Sequence, residues 1–235
     1  MEPLIIANFK ANHTIKETIA WIKNTREPLE KATNCEIVIC PSFTSLPLVA
    51  SFFEESRVLV GAQTVSQFER GAYTGEVTAE MLDGLISFCI VGPSERKKYF
   101  SEAEDQIVKK VENLLKFDIK PLLCISDLDQ LEKYLNFSEL LLKRRKEIVF
   151  VYEPPSAISG VGDFHPESPE SAEKVASEIE EKLGGDVRII YGGSTNPENI
   201  GSFLRQNHLN GALVGQASWN PETFLKLVSN ASLIS

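Results

Sequence analysis

Eight short apolar runs punctuate this chain, at 4–7, 37–40, 58–60, 88–91, 121–125, 148–152, 188–191 and 212–214, and longer amphipathic stretches separate them. Each run is bounded by Gly, Pro, Ser or Asn. An uninterrupted apolar run of this size suits a strand buried on both faces, as in a parallel sheet, better than a half-exposed strand with alternating polarity. Between the runs, segments 14–32, 45–55, 78–85, 102–117, 126–134, 169–183, 197–206 and 221–229 read as helices. Ser168-Pro169, Asn196-Pro197 and Asn220-Pro221 each place a capping residue before a proline at the first helical position. Pro28 is expected to break or end the first helix early. Strict strand–helix alternation repeated eight times predicts a single (β/α)8 barrel over residues 1–235, with eight parallel strands inside a ring of helices. An open doubly wound sheet is the alternative. The fifth unit is thin, with room between Cys124 and Ile148 for one short helix and a fragment at 138–143.

Composition narrows the partners. At 43% hydrophobic and 24% charged residues, the chain has ample material for a core and is not disordered. A net charge of −9 repels nucleic acid and anionic membranes, so neither is an expected partner. A phosphate-bearing ligand needs a local field that outweighs this charge. Cys35, Cys40, Cys89 and Cys124 form no C-x-x-C pair and read as buried thiols of a reducing cytoplasm. The N-terminus lacks the pattern of a signal peptide, and no apolar run reaches the 18–20 residues a membrane span needs. No metal or organic cofactor is suggested.

In a barrel, chemistry gathers where strands end and the following loops begin. The first run is followed by Asn8-Phe9-Lys10, where the lysine reads either as a solvated charge or as a site cation. The sixth is followed by Glu153-Pro154-Pro155, where the carboxylate is either a helix cap or a general base raised in pKa by partial burial. The small residues from Ser156 to Gly162 make either a linker or a hinged cover. Gly192-Gly193-Ser194 and Gly215-Gln216 follow the seventh and eighth runs. Glycines there mark turns, or they let backbone N–H groups approach a phosphate.

Taken together, IIANFKAN at 5–12, CPSFTSL at 40–46, GAQTVS at 61–66, GAYTGEVTAEML at 71–82, VGPSERKKYF at 91–100, YEPPSAI at 152–158, YGGS at 191–194 and LVGQAS at 213–218 resemble the triosephosphate isomerase family over nearly the whole chain. The resemblance implies that Glu153 shuttles a proton between C1 and C2 of a triose phosphate. Lys10 would set a positive charge near the substrate oxygens, Asn8 would orient the substrate, and Glu95 would sit beside Lys10. Backbone N–H groups of Ser159, Ser194, Gly215 and Gln216 would hold the phosphate. Residues 154–162 would form a lid, with Pro154 at its stem, Gly160 within it and Ile158 closing against Leu213. Tyr191 and Ser194 would latch it. Thr74 would reach into a neighbouring subunit beside Asn8, implying a homodimer or a dimer-based tetramer.

The match fails at one telling place. Where the family carries Gly-His before Ser-Glu-Arg, this chain has Gly92-Pro93. That histidine is the neutral donor to the substrate carbonyl, and proline has neither a side-chain donor nor an N–H. Pro93 itself suits the first position of a short helix, so the fold should survive the change. His13, His165 and His208 read as ordinary surface residues, His13 lying nearest the barrel mouth. Other departures are Pro155-Ser156 in the lid and the trimmed fifth unit, both as in archaeal members. Gln216 stands for a Gly, and Ser126-Asp127 for Gly-Glu. The implied activity is therefore a slow isomerase of glycolysis and gluconeogenesis. A catalytically silent homologue that binds a phosphorylated metabolite or a partner, and an isomerase of another phosphorylated carbonyl compound, are the alternatives.

Overall fold

The structure, a computed structural model, describes residues 1–157 and 164–234. Among these lie eight strands: β1 (Leu4–Asn8), β2 (Glu36–Cys40), β3 (Leu59–Ala62), β4 (Phe88–Val91), β5 (Lys120–Ile125), β6 (Val149–Tyr152), β7 (Arg188–Tyr191) and β8 (Gly211–Val214). They pair in parallel in sequence order, and β1 also pairs with β8, closing a barrel. Closure removes the open-sheet alternative. The helices are α1 (Ile15–Lys31), α2 (Leu46–Phe52), α3 (Ala79–Leu82), α4 (Ser94–Phe100), α5 (Glu104–Leu115), α6 (Leu128–Phe137), α7 (Leu140–Lys143), α8 (Pro169–Leu183), α9 (Ile200–Leu204) and α10 (Pro221–Ala231).

The continuous apolar runs now have a physical reason. Leu4, Ile6, Val38, Ile90, Leu122, Val151 and Leu213 point inward and form one core inside the barrel. Their neighbours Ile5, Ala7, Ile37, Ile39, Leu123 and Phe150 point outward into a second core under the helices. Period-two alternation therefore places apolar residues on both faces. Each fully buried Leu or Ile contributes about 1.5–3 kcal/mol. All four cysteines are buried and free. No helix among the described residues is long and apolar enough to cross a membrane.

Several local expectations need correction. Pro28 lies inside α1 without ending it. Pro28 and Asn24, whose carbonyl loses its N–H partner, both lie on the exposed face of the helix. Ser168 and Asn220 cap α8 and α10 as expected, with proline following. Asn196 does not cap α9: its side chain accepts from the N–H groups of Glu198 (3.0 Å) and Asn199 (2.9 Å), making a tight turn before a helix that starts three residues later than its proline suggests. Segment 78–85 yields only the single turn α3, because Asp83 leaves the helical region with ψ 134° and Gly84 has φ +73°.

Closure leaves one steric signature. A Cβ at Gly211 would lie 2.1 Å from the Leu4 carbonyl oxygen, within the β1–β8 seam. Gly211→Ala is expected to destabilise the protein by about 3 kcal/mol, lowering Tm by roughly 6–12 °C for a chain of this size. At Gly184 nothing lies within 4 Å of a built Cβ, so Gly184→Ala carries only its backbone strain, about 1 kcal/mol. Thermal unfolding of the two variants checks the difference.

Candidate active site

The carboxyl ends of β1, β4, β6, β7 and β8 bring the sequence-singled residues onto one rim. After β6, Glu153 extends the ladder, its N–H bonding the Ile125 carbonyl at 2.8 Å. Its side chain is 6% exposed. Space for it exists because the next strand end carries Gly192, where a Cβ would lie 2.6 Å from Glu153 Cγ. One carboxylate oxygen accepts from the Ser94 N–H at 3.1 Å. Burial, and then the like charge of Glu95, push the Glu153 carboxyl up to about 7, against the pull of the Ser94 N–H, Lys10 and Lys97. A buried carboxyl poised near neutrality can both take and return a proton.

After β1, Lys10 adopts φ +49°, a left-handed conformation uncommon for a non-glycine residue. The Asn8 side chain steadies this turn by accepting from the Lys10 N–H at 3.0 Å. The Lys10 ammonium pairs with Glu95, each side chain about one-third exposed. Burial raises the Glu95 carboxyl, but the Lys10 charge and hydrogen bond more than offset this and hold it below the ordinary value. Ser94 and Glu95, the first two residues of α4, thus hold the buried carboxyl and the cation respectively. Pro93 precedes them at the N-cap, one position earlier than its helix preference suggests. It is buried and its carbonyl accepts from Arg96 at 3.0 Å. Its ring offers no polar hydrogen to the rim.

The histidines do not fill that gap. His13 sets its ring edge-on to Phe9, centroids 4.6 Å apart, and Phe9 belongs to the outer core layer. Its Nδ1 is buried without a partner among the described residues, so it is less ordinary than a surface histidine. His208 is tied to Glu173 at 2.6 Å, far from the rim, and His165 is exposed.

Glycines 192, 193 and 215 complete the rim. Gly215 approaches Lys10, whose Cε would lie 3.2 Å from a built Cβ. Gln216 opens a 3₁₀ turn, Gln216–Ser218, whose leading N–H groups lack partners within the turn. Ser194 is buried, and both its N–H and its hydroxyl donate to the Ala157 carbonyl at 2.9 Å. That N–H is therefore engaged with the segment after β6 rather than turned to solvent. The Tyr191 hydroxyl accepts from the Glu167 N–H at 3.1 Å, passing where any side chain on Gly193 would clash. Both ends of the segment between Ala157 and Glu167 thus hang on the end of β7. Pro154 is buried in its stem, whereas Ile158, Ser159 and Gly160 lie outside the described residues. Thr74 is exposed at a turn closed by Gly75 with φ +93°. That loop also stacks Phe68 on Tyr73, centroids 4.1 Å apart.

Sequence reading missed two participants. Lys97, one helical turn beyond Pro93, lowers the Glu153 pKa electrostatically and donates to Gln130 at 2.8 Å. Its i+4 spacing from Pro93 was the available signal. Gln63, within the GAQT stretch, donates to the Cys40 carbonyl at the end of β2 at 3.0 Å.

Comparison with known proteins agrees with this geometry. The family model described as triosephosphate isomerase matches residues 3–231. A triosephosphate isomerase of Dictyoglomus turgidum is 38% identical, with 96% of this chain and 98% of the relative covered. One from Aquifex aeolicus is 36% identical over 97% and 99% of the two chains, and one from Solibacter usitatus 33% over the same shares. Strand order, rim and relatives together place the chain in the triosephosphate isomerase family.

Proposed function

We propose that the chain, as one domain over residues 1–235, interconverts dihydroxyacetone phosphate and D-glyceraldehyde 3-phosphate in the cytoplasm, with reduced turnover. One observation carries the reading: a buried carboxyl poised near pH 7 and a lysine ammonium are held side by side by consecutive residues, Ser94 and Glu95. Glu153 takes a proton from C1 of the ketose and returns it at C2 of the resulting enediolate. Lys10 and Asn8 face the oxygens where negative charge develops, and the Gly215 and Gln216 N–H groups, with those of Ser159 and Ser194, take the phosphate. For Ser194 this requires exchange of its bond to Ala157. Residues 154–162, including Ile158 and Gly160, serve as the lid that excludes water from the intermediate. Exposed Tyr73, next to Thr74, and the exposed apolar side chains of Phe43, Met81, Tyr99 and Phe100 support self-association as a dimer or a dimer-based tetramer.

Pro93 stands where the family histidine donates to the carbonyl, which is why turnover is low. Loss of one preorganised donor costs on the order of 10²–10³ in rate. Lys10, Asn8 or a water takes over part of that role. Pro93 equally favours a second reading, a silent homologue that binds a phosphorylated metabolite. Purified protein should isomerise glyceraldehyde 3-phosphate measurably above its Glu153→Ala variant, and Pro93→His should raise turnover by up to about 100-fold. Turnover no greater than that of Glu153→Ala would sink the enzyme reading and leave the second.

The raised Glu153 pKa sets two pH dependences. The base form accumulates as pH rises, so kcat/KM should climb with an inflection near 7. The folded carboxyl keeps its proton to about 7 while the unfolded one releases it near 4.5, so stability falls as pH rises between these values. Glu153→Gln should therefore be more stable than wild type at pH 8, by up to about 3 kcal/mol, and gain nothing at pH 4. Denaturant titrations at the two pH values measure this.

A further inference from the structure

The chain has two tryptophans, 198 residues apart in number, Trp21 and Trp219. Both indole N–H groups are spent on backbone carbonyls at one place, the junction of β1 with the turn after β8. Trp21, buried on α1 between Phe9 and Phe224, donates to the Ser218 carbonyl at 2.9 Å. Trp219, half-buried, donates to the Asn8 carbonyl at 3.4 Å. Ser218 links the two: its hydroxyl reaches the Asn8 carbonyl at 3.3 Å and the Gly215 carbonyl at 2.7 Å, and its N–H also bonds Gly215 at 2.9 Å.

This chain of bonds has a directional consequence. A peptide group is planar and trans, so fixing a carbonyl fixes the N–H of the next residue on the opposite side. With the Gly215 carbonyl held twice by Ser218, the Gln216 N–H must point away from Ser218. Ser218 in turn is held by Trp21. On the other side, the Asn8 carbonyl held by Trp219 belongs to the residue whose side chain fixes the Lys10 turn.

We propose that Trp21 and Trp219 are positioning residues that aim the Gln216 N–H group and the Asn8–Lys10 turn at a shared phosphate-bearing ligand. The inference rests on the reading of Gly215 and Gln216 as phosphate-binding. Trp21 acts through Ser218 from the outer helix layer, and Trp219 acts through Asn8. Phenylalanine at either position keeps an apolar ring and removes the donor.

The test uses the full chain with Trp21→Phe and Trp219→Phe. It measures 2-phosphoglycolate affinity by calorimetry, KM and kcat for glyceraldehyde 3-phosphate, and Tm. Trp21→Phe should weaken 2-phosphoglycolate and raise KM by about tenfold, with kcat changed no more than about twofold; Trp219→Phe should weaken binding by about threefold. Saturating 2-phosphoglycolate should also shift the intrinsic fluorescence, and Trp219→Phe should remove most of that shift. If Trp21→Phe does not fold, the affinity and fluorescence of Trp219→Phe decide. Wild type that binds while both variants bind within twofold of it, with only Tm lowered, overturns the positioning role and leaves the phosphate site standing. Wild type that does not bind 2-phosphoglycolate removes the phosphate site and this inference with it.

Discussion

The pairing of β1 with β8 is the constraint on which everything else in this molecule depends. An eight-stranded sheet left open exposes two edges with unpaired backbone groups. Closing it joins residues near the start of the chain to residues near its end, Leu4 opposite Gly211 and Ala7 opposite Val214. That seam sets the Lys10 side chain against Gly215. A cation at the start of the chain and a glycine turn at its end become one wall of a site only because the sheet closes. Local sequence could not have produced that adjacency.

Within the rim, opposite electrostatic tendencies are kept apart by short range. Burial holds the Glu153 carboxyl protonatable, while the Lys10 ammonium keeps Glu95 ionised a few atoms away. The start of α4 makes this possible by lending one N–H to the first and one carboxylate to the second. Pro93 fits the same helix start without disturbing it, since an N-cap residue needs no N–H of its own within the helix. Stability and chemistry therefore answer to different atoms at this corner. A chain that is negative overall still presents a cation and polarised N–H groups together on one rim.

Much of the architecture was legible because strands buried on both faces leave an unmistakable sequence trace. Runs such as 88–91 and 188–191 coincide with β4 and β7. Helix starts were legible at Ser168 and Asn220, where side-chain capping and proline agree, and illegible at Asn196, where the same letters build a turn first. The left-handed turn at Lys10 left no mark, since a lysine does not advertise positive φ. The engagement of the Ser194 N–H by Ala157 depends on how two strand ends lie in space, which no residue pattern encodes. The tryptophan anchors were hidden for another reason: each bridges about two hundred residues, and an apolar helix position like Trp21 looks like core alone.

The double attachment to β7 carries a thermodynamic consequence for the chain between Ala157 and Glu167. Ser194 grips one end and the Tyr191 hydroxyl the other, and both belong to a rim that the barrel has already ordered. The positions of both anchors are thus set by the barrel rather than by the connection itself. Doubling the length of such a loop costs only about 0.6 kcal/mol. Residue number there can therefore change while the folding equilibrium of the barrel barely moves.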